Sequence, residues 1–386
     1  MQYNFPELYH IDQVLPAIKD KPEFAARERG PLTIVNYDYQ DIDTFKGPNA
    51  AILRECRGLV FHTETGHLLN RRFHKFFNVG EKDETQSECL PWDSAVLLMD
   101  KLDGSMVSPV LMSPDDNSEL RWITKMGVTD VSMQAEAFAF RHANAYNTLA
   151  WRLLTDYANS KLGYTPIFEW CSAGNRIVLE YPEDRLILLA VRDTYTGRYL
   201  EHSHVTEMAR RYGIPAVESI ATADILAAAN SARSEEDKEG YVIRFTSGHM
   251  VKVKTDWYVR LHKTKDALRS DRLIIQTALS DSLDDLLPLL AEQDREKIES
   301  TVHDFWSRFN SVVEYIEGDL RTMKQILSRK DFALNHAPGI PNASVYFTAW
   351  DGKVPVREAL MREVHKALVS DTTYETKMKK ALSPYG

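Results

Sequence analysis

Cysteine is scarce in this 386-residue chain: Cys56, Cys89 and Cys171 are its three, and they are widely scattered. They form no CxxC pair and no even-numbered framework. That excludes a disulfide scaffold, argues against a structural zinc site, and fits free thiols in a reducing cytosol. Long apolar runs are missing too. No stretch reaches the roughly 18 residues of a transmembrane helix, so no membrane partner is expected. Met1-Gln2-Tyr3-Asn4 lacks the basic start and apolar centre of a signal peptide, and the expected compartment is cytoplasmic. There is no GxxxxGK[ST] loop, which disfavours ATP binding by a P-loop. None of the twelve histidines has zincin spacing; His202 and His204 flank a serine without further ligands.

Net positive charge is also absent. The 47 Lys and Arg against 56 Asp and Glu leave −9, unlike proteins that coat nucleic acid without selectivity. A basic cleft in an acidic protein still binds phosphate, because contacts depend on the local field. Cations recur between Arg54 and Lys75 and again from Lys252 to Lys265, whereas the acidic excess lies from Asp281 to Glu299.

Up to about Lys265 the pattern gives short β-branched or aromatic strands bounded by Gly, Pro, Asn or Asp. They are Leu32-Tyr39, Gly58-Thr63, Ala95-Met99, Glu119-Thr124, Pro166-Trp170, Leu186-Asp193, Tyr241-Phe245 and Met250-Lys254. Ser132-Gly163 shows helical spacing, with Ala135, Phe138, Ala139, His142 and Tyr146 near one face. Val205-Tyr212 and Thr222-Ala232 also read as helices. Mixed elements without a βαβ rhythm predict an α+β fold with mostly antiparallel sheets flanked by helices. Beyond this, Leu268-Leu279, Leu283-Leu290, Arg295-Leu327 and Val356-Leu368 are amphipathic. The expected domains are residues 1–265 and a smaller all-helical domain, 266–386.

Chemistry concentrates in a few places. Lys101-Leu102-Asp103-Gly104-Ser105 follows the apolar run Val96-Leu97-Leu98-Met99. At the end of a strand, a period of two puts Lys101 and Asp103 on one face, and Gly104 lets backbone approach a ligand. A lysine amine attacks phosphorus only when neutral, yet a reference pKa near 10.4 leaves on the order of one in a thousand neutral at pH 7.4. Neighbouring cations, desolvation or a metal must lower it. Alone, K-x-D-G occurs by chance in roughly one such chain in ten, and its bland reading is a surface turn.

Lys252-Val253-Lys254 follows the strand Glu239-Gly240-Tyr241-Val242-Ile243-Arg244-Phe245. Alternation puts both lysines on one face, where an anion such as phosphate would justify their proximity; an edge strand guarded by lysine is the alternative. Glu239 suits a metal-bound water or a ribose hydroxyl, or is an ordinary strand-end carboxylate. Glu169, amid the apolar Pro166-Ile167-Phe168-Glu169-Trp170, needs a partner once buried: a hydroxyl, hydrated magnesium, or an arginine such as Arg176. Arg71-Arg72-Phe73-His74-Lys75-Phe76-Phe77-Asn78 interleaves cations with aromatics, a pattern that holds phosphates and packs against bases. The same three phenylalanines also suit a core beneath a basic face.

The order of these segments is more specific than any one of them. Lys-x-Asp-Gly, Phe-Glu-Trp, Glu-Gly-Tyr-Val and Lys-Val-Lys together resemble the covalent nucleotidyltransferase superfamily of ligases and capping enzymes. Glu55-Cys56-Arg57-Gly58, Lys75-Phe76-Phe77-Asn78, Asn175-Arg176-Ile177-Val178-Leu179 and Lys252-Val253-Lys254-Thr255-Asp256-Trp257-Tyr258-Val259 narrow the resemblance to the bacteriophage RNA ligase 1 family, the T-even type tRNA-repair ligases. It spans roughly Tyr37 to Lys265.

That resemblance implies a monomeric, ATP-dependent RNA ligase, with a helical tail that recognises folded RNA. A phage-encoded chain would act in the host cytoplasm. The enzyme would use Mg2+ or Mn2+ and join 5′-phosphate and 3′-hydroxyl ends of nicked tRNA or single-stranded RNA. Lys101 would carry AMP. Arg57, Lys75 and Phe77 would hold ATP with Gly104 and with Tyr37 or, alternatively, Tyr39. Glu169 would contact the ribose, Glu239 would place metal and nucleotide, Lys252 and Lys254 would grip the α-phosphate, and Asp103 and Glu169 would meet the metal through water. The family's lysine directly before glycine is offset here in Lys125-Met126-Gly127, and Lys125 is assigned to ATP with that difference. DNA ligases and capping enzymes share the superfamily motifs, but no OB-fold pattern follows the lysine pair. An RNA-binding module that had lost catalysis would show damage at Lys101, Glu239 or Lys254, and all three are intact.

Overall fold

The computed structural model describes residues 4–41, 43–113, 118–155, 163–175, 177–222, 224–267, 270–280, 287, 290, 292–370 and 373–383. The chain divides into two compact units, Met1–Arg260 and Leu261–Gly386.

The first unit is α+β and carries three four-stranded sheets. One joins β1 (Phe24–Arg29), β2 (Leu32–Tyr37), β3 (Arg57–His62) and β4 (Leu68–Asn70) in sequence order. Another contains β5 (Phe77–Asn78), β6 (Ala95–Lys101), β11 (Gly240–Phe245) and β12 (Met250–Lys254), in the order β5-β12-β11-β6. The remaining sheet contains β7 (Ser105–Leu111), β8 (Leu120–Ile123), β9 (Tyr164–Cys171) and β10 (Arg185–Asp193), in the order β10-β9-β7-β8. Every pairing is antiparallel except β12 with β5.

Each strand read from the pattern is present, shifted by a residue or two at its ends. β1, β4, β5 and β7 lie outside that reading. Phe24-Ala-Ala-Arg-Glu-Arg29 carries helix-favouring residues, and β7 contains Pro109, which lacks a backbone donor. The single helical stretch expected from Ser132 is two helices, Asp130–Arg141 and Tyr146–Leu154, and 156–162 fall outside the described residues. The Thr129 side chain caps the first helix by accepting the Ser132 N–H. Its apolar face, with Ala135, Phe138 and Ala139, packs against Phe168, Trp170 and Leu188 of the sheet.

The second unit is helical throughout its described elements. The helix Glu292–Ile326 buries Phe305, Phe309, Val312, Ile316 and Leu320, a three-or-four spacing that makes one continuous stripe. That stripe shares a core with Leu360 and Val364 of helix Val356–Leu368, and with Phe332, Tyr346 and Trp350. Tyr346 donates its hydroxyl to Asp319 at 2.7 Å. The helix expected over Leu283-Leu290 falls almost wholly outside the described residues.

One register fixes the centre of the first unit. Gly240 stands opposite Lys101 on one side and opposite Lys254 on the other. Its φ of +141° lies where side chains are strained, and a Cβ there would come within 2.0 Å of the Val253 carbonyl oxygen. Gly240→Ala is therefore expected to destabilise the protein by about 3 kcal/mol or more, read as a lower urea midpoint. An unchanged midpoint would show that the strand tolerates the methyl group.

Candidate active site

Three strands deliver the central charges. β6 ends on Lys101, β12 ends on Lys254, and Glu239 immediately precedes β11 between them. The Glu239 carboxylate is buried, and its Oε1 lies 2.7 Å from Lys101 Nζ and 3.0 Å from Lys254 Nζ. One anion thus bridges two cations that would otherwise repel. The lysines themselves keep about a quarter of their side chains accessible, so both can meet a ligand.

Lys101 and Lys254 open into a cleft of about 270 Å³. Arg57, Lys75 and Lys252 also line it, as do Tyr37, Glu169 and Gly104. An apolar slot completes the walls, with Met99, Val217 and Val242 from one cluster and Phe73, Phe76 and Met106 from another. Cationic side chains and apolar walls in one cleft suit a ligand that joins phosphates to an aromatic ring.

Gly104 is needed for packing as well as for access. A Cβ there would sit 2.5 Å from the Trp170 carbonyl oxygen and 3.0 Å from Glu169 Cγ. The turn after Lys101 therefore lies directly on β9, which carries Glu169. Burial pushes the Glu169 carboxyl up to about 8; Lys101 opposes the rise and Glu239 adds to it. Below that pH the group is protonated and able to donate a hydrogen bond. The arginine pairing considered for it, Arg176, lies outside the described residues.

Burial also lowers Lys252, and Lys101, Lys75, Lys254 and Arg57 reinforce the effect, bringing its ammonium to about 7. Lys75 is lowered chiefly by burial, while Tyr37 opposes. The Lys75 ammonium sits within 5.2 to 5.9 Å of the ring centres of Phe77, Tyr37 and Phe45. Burial raises the Tyr37 phenol, but Arg57, Lys75 and Lys125 outweigh it and the net shift is downward.

The structure gathers most of the residues singled out from the sequence, with four differences. Phe77 was expected against the nucleotide; it is 1% exposed, packed in the core under Lys75, and Phe76 takes the place in the wall. In β5 the Phe77 side chain turns inward, so only its neighbour faces the cleft. Asp103 was expected on the face of Lys101 and beside a metal. The strand ends at Lys101, however, and the buried Asp103 carboxylate accepts the Val178 and Leu179 N–H groups at 2.7 and 2.6 Å and the Tyr258 hydroxyl at 2.6 Å. With both oxygens so engaged, it pins the turn rather than facing the cleft. Lys125 stands over the Tyr37 ring at 5.5 Å instead of lining the wall. Tyr37 is the cleft tyrosine; Tyr39 is exposed. Glu239 touches the site through its two lysines. The slot residues Met99, Met106, Leu189, Val217 and Val242 carry no sequence signal, because each reads as ordinary core.

Residues 55–258, just over half of the chain, match the family model described as RNA ligase, of the T4 RNA ligase 1 type. The chain belongs to this family of RNA ligases. It is 29% identical over 286 residues to a putative RNA ligase of Thermovibrio ammonificans, covering 72% of this chain and 70% of that protein. It is also 29% identical over 305 residues to RNA ligase 1 of bacteriophage TS2126, covering 74% and 70%. Among solved structures, an archaeal ATP-dependent RNA ligase aligns over 78% of each chain at 14% identity, with a TM-score of 0.44. No helix among the described residues is long and apolar enough to cross a membrane.

The lowered Lys252 gives a direct test of the site's electrostatics. It carries charge below about 7 and is neutral above, whereas in the unfolded chain the same lysine stays protonated to the ordinary lysine value of 10.5. Between those values the unfolded state binds the extra proton, so this group makes stability rise with pH. In ¹³C NMR of ε-labelled lysines, one resonance is expected to titrate near pH 7 and to vanish in Lys252→Met. A wild-type spectrum in which every lysine titrates above about pH 9 would contradict the assignment.

Proposed function

We propose that the chain is an ATP-dependent RNA ligase that works through AMP bonded covalently to Lys101. The observation that carries this reading is the convergence of Lys101 and Lys254 on Glu239, in a cleft that the two lysines line together with apolar side chains. Adenine enters the slot between Met99, Val242 and the Phe73–Phe76 side. Glu169, protonated at neutral pH, donates to the ribose, and Tyr37, Arg57 and Lys75 hold the remainder of ATP.

In the first step Lys101 Nζ, once neutral, attacks the α-phosphorus. The N–P bond forms, the bond to pyrophosphate breaks, and the amine gives up a proton. Lys252 and Lys254 lie on the same strand and neutralise charge growing on the α-phosphate oxygens. In the second step a 5′-phosphate on RNA attacks the AMP phosphorus and releases Lys101. A 3′-hydroxyl then displaces AMP and closes the phosphodiester. Positioning and charge neutralisation supply most of the catalysis.

A divalent metal, Mg2+ or Mn2+, fits this donor set. No group of three or more His, Cys, Asp or Glu side chains forms a metal cage among the described residues. Magnesium typically takes one or two carboxylates together with substrate phosphates; Glu239 supplies the carboxylate here, and the protonated Glu169 would meet the metal only through water. When bound with ATP, the metal would polarise the phosphoryl oxygens. The substrate is RNA with a 5′-phosphate and a 3′-hydroxyl, and a cleaved tRNA is the proposed natural form. The second unit would recognise the RNA's fold, and the enzyme would act as a monomer in the cytoplasm.

Incubation with α-labelled ATP and a divalent metal should label the wild-type chain and leave Lys101→Ala unlabelled. Label that persisted in the variant would remove Lys101 from the reaction. Lys254→Ala should slow labelling by about 100-fold or more while circular dichroism stays native. Undiminished adenylation and ligation in that variant would overturn its role. With the full chain, a tRNA cleaved in its anticodon loop should be sealed faster than linear single-stranded RNA; equal rates would rule out the tRNA preference.

A further inference from the structure

The segment Arg71–Phe76 forms neither helix nor strand, yet Arg71, Arg72, Phe73 and His74 are buried. Irregular buried backbone must find its hydrogen bonds elsewhere. The Arg71 N–H donates to Thr165 Oγ1 at 3.1 Å, the His74 N–H to the Tyr199 hydroxyl oxygen at 3.3 Å, and the Lys75 N–H to the Arg54 carbonyl at 2.7 Å. The Arg72 carbonyl accepts from Arg192 Nη1 at 2.5 Å.

Arg192 is in turn held by Glu55. Its Nη1 and Nη2 donate to the two Glu55 oxygens, each at 2.8 Å, and Arg71 Nε donates to Glu55 Oε2 at 3.0 Å. All three side chains have no accessible surface. Burial by itself would raise the Glu55 carboxyl; Arg192 and Arg71 outweigh it and hold it at about 2. One carboxylate therefore bridges two buried guanidiniums. Removing its charge leaves two like charges unpaired in the interior. The disturbance falls on the Arg72 carbonyl and on Arg71, between one and five residues from Phe73, Lys75 and Phe76 in the cleft wall.

We propose that Glu55, which lies outside the cleft, is a positioning residue that sets ATP affinity by holding the Arg71–Phe76 segment in place through Arg192 and Arg71. This rests on the reading of the cleft as the ATP site. The segment supplies contacts made equally before and during nucleotidyl transfer, so its displacement weakens binding more than it slows chemistry.

The test measures lysyl-AMP formation against ATP concentration in the full chain. Glu55→Gln, which preserves shape and removes charge, should raise KM for ATP about tenfold or more, with the rate at saturating ATP within about threefold of wild type. Tyr199→Phe, which removes the acceptor of the His74 N–H, should raise KM in the same direction by a smaller factor. It carries the test alone should Glu55→Gln fail to fold. Unchanged KM in the folded variants would overturn the proposal, and so would a fall confined to the saturated rate. A wild-type chain that takes no label would instead overturn the ATP reading.

Discussion

Five cations, Arg57, Lys75, Lys101, Lys252 and Lys254, share one cleft, and mutual repulsion is the constraint that the site has to satisfy. The register of three strands meets it. Gly240 sets β11 between Lys101 and Lys254, and its missing side chain lets the strands close. Glu239, one residue earlier, then reaches both ammonium groups. The remaining excess of positive charge lies beside buried surface, and Lys252 responds by releasing its proton easily. Such a cleft is poised for a ligand that brings several negative charges of its own.

Around this centre the fold uses carboxylates in three different ways. Glu239 faces cations at the edge of solvent. Glu169 is buried with too little compensation and holds its proton to about 8. Asp103 and Glu55 are buried with full compensation, the first by backbone N–H groups and a tyrosine, the second by two arginines. Burial is common to all of them, and the partner decides the role.

Much of this was legible in the sequence. Strands β2, β3, β6 and β8 to β12 follow from short β-branched or aromatic runs bounded by turn residues. The grouping of Lys101, Glu169, Glu239, Lys252 and Lys254 is what the family resemblance carried by the order of their motifs implies. What stayed hidden has physical causes. Phe76 and Phe77 are adjacent and alike, and only the inward turn of Phe77 in β5 decides which one faces the cleft. Asp103 departs from strand alternation because β6 stops two residues before it. The slot residues come from separate strands and loops, each with the signature of plain core. The Glu55–Arg192 pair bridges 137 positions, a separation that local pattern cannot report.

The central claim is a covalent bond between AMP and Lys101 Nζ. Peptide mapping by mass spectrometry of the full chain after incubation with ATP and magnesium tests it most directly. The account predicts one AMP on the peptide that contains Lys101, held by an acid-labile bond. AMP found on a different lysine, such as Lys252 or Lys254, or no adduct at all, would contradict it.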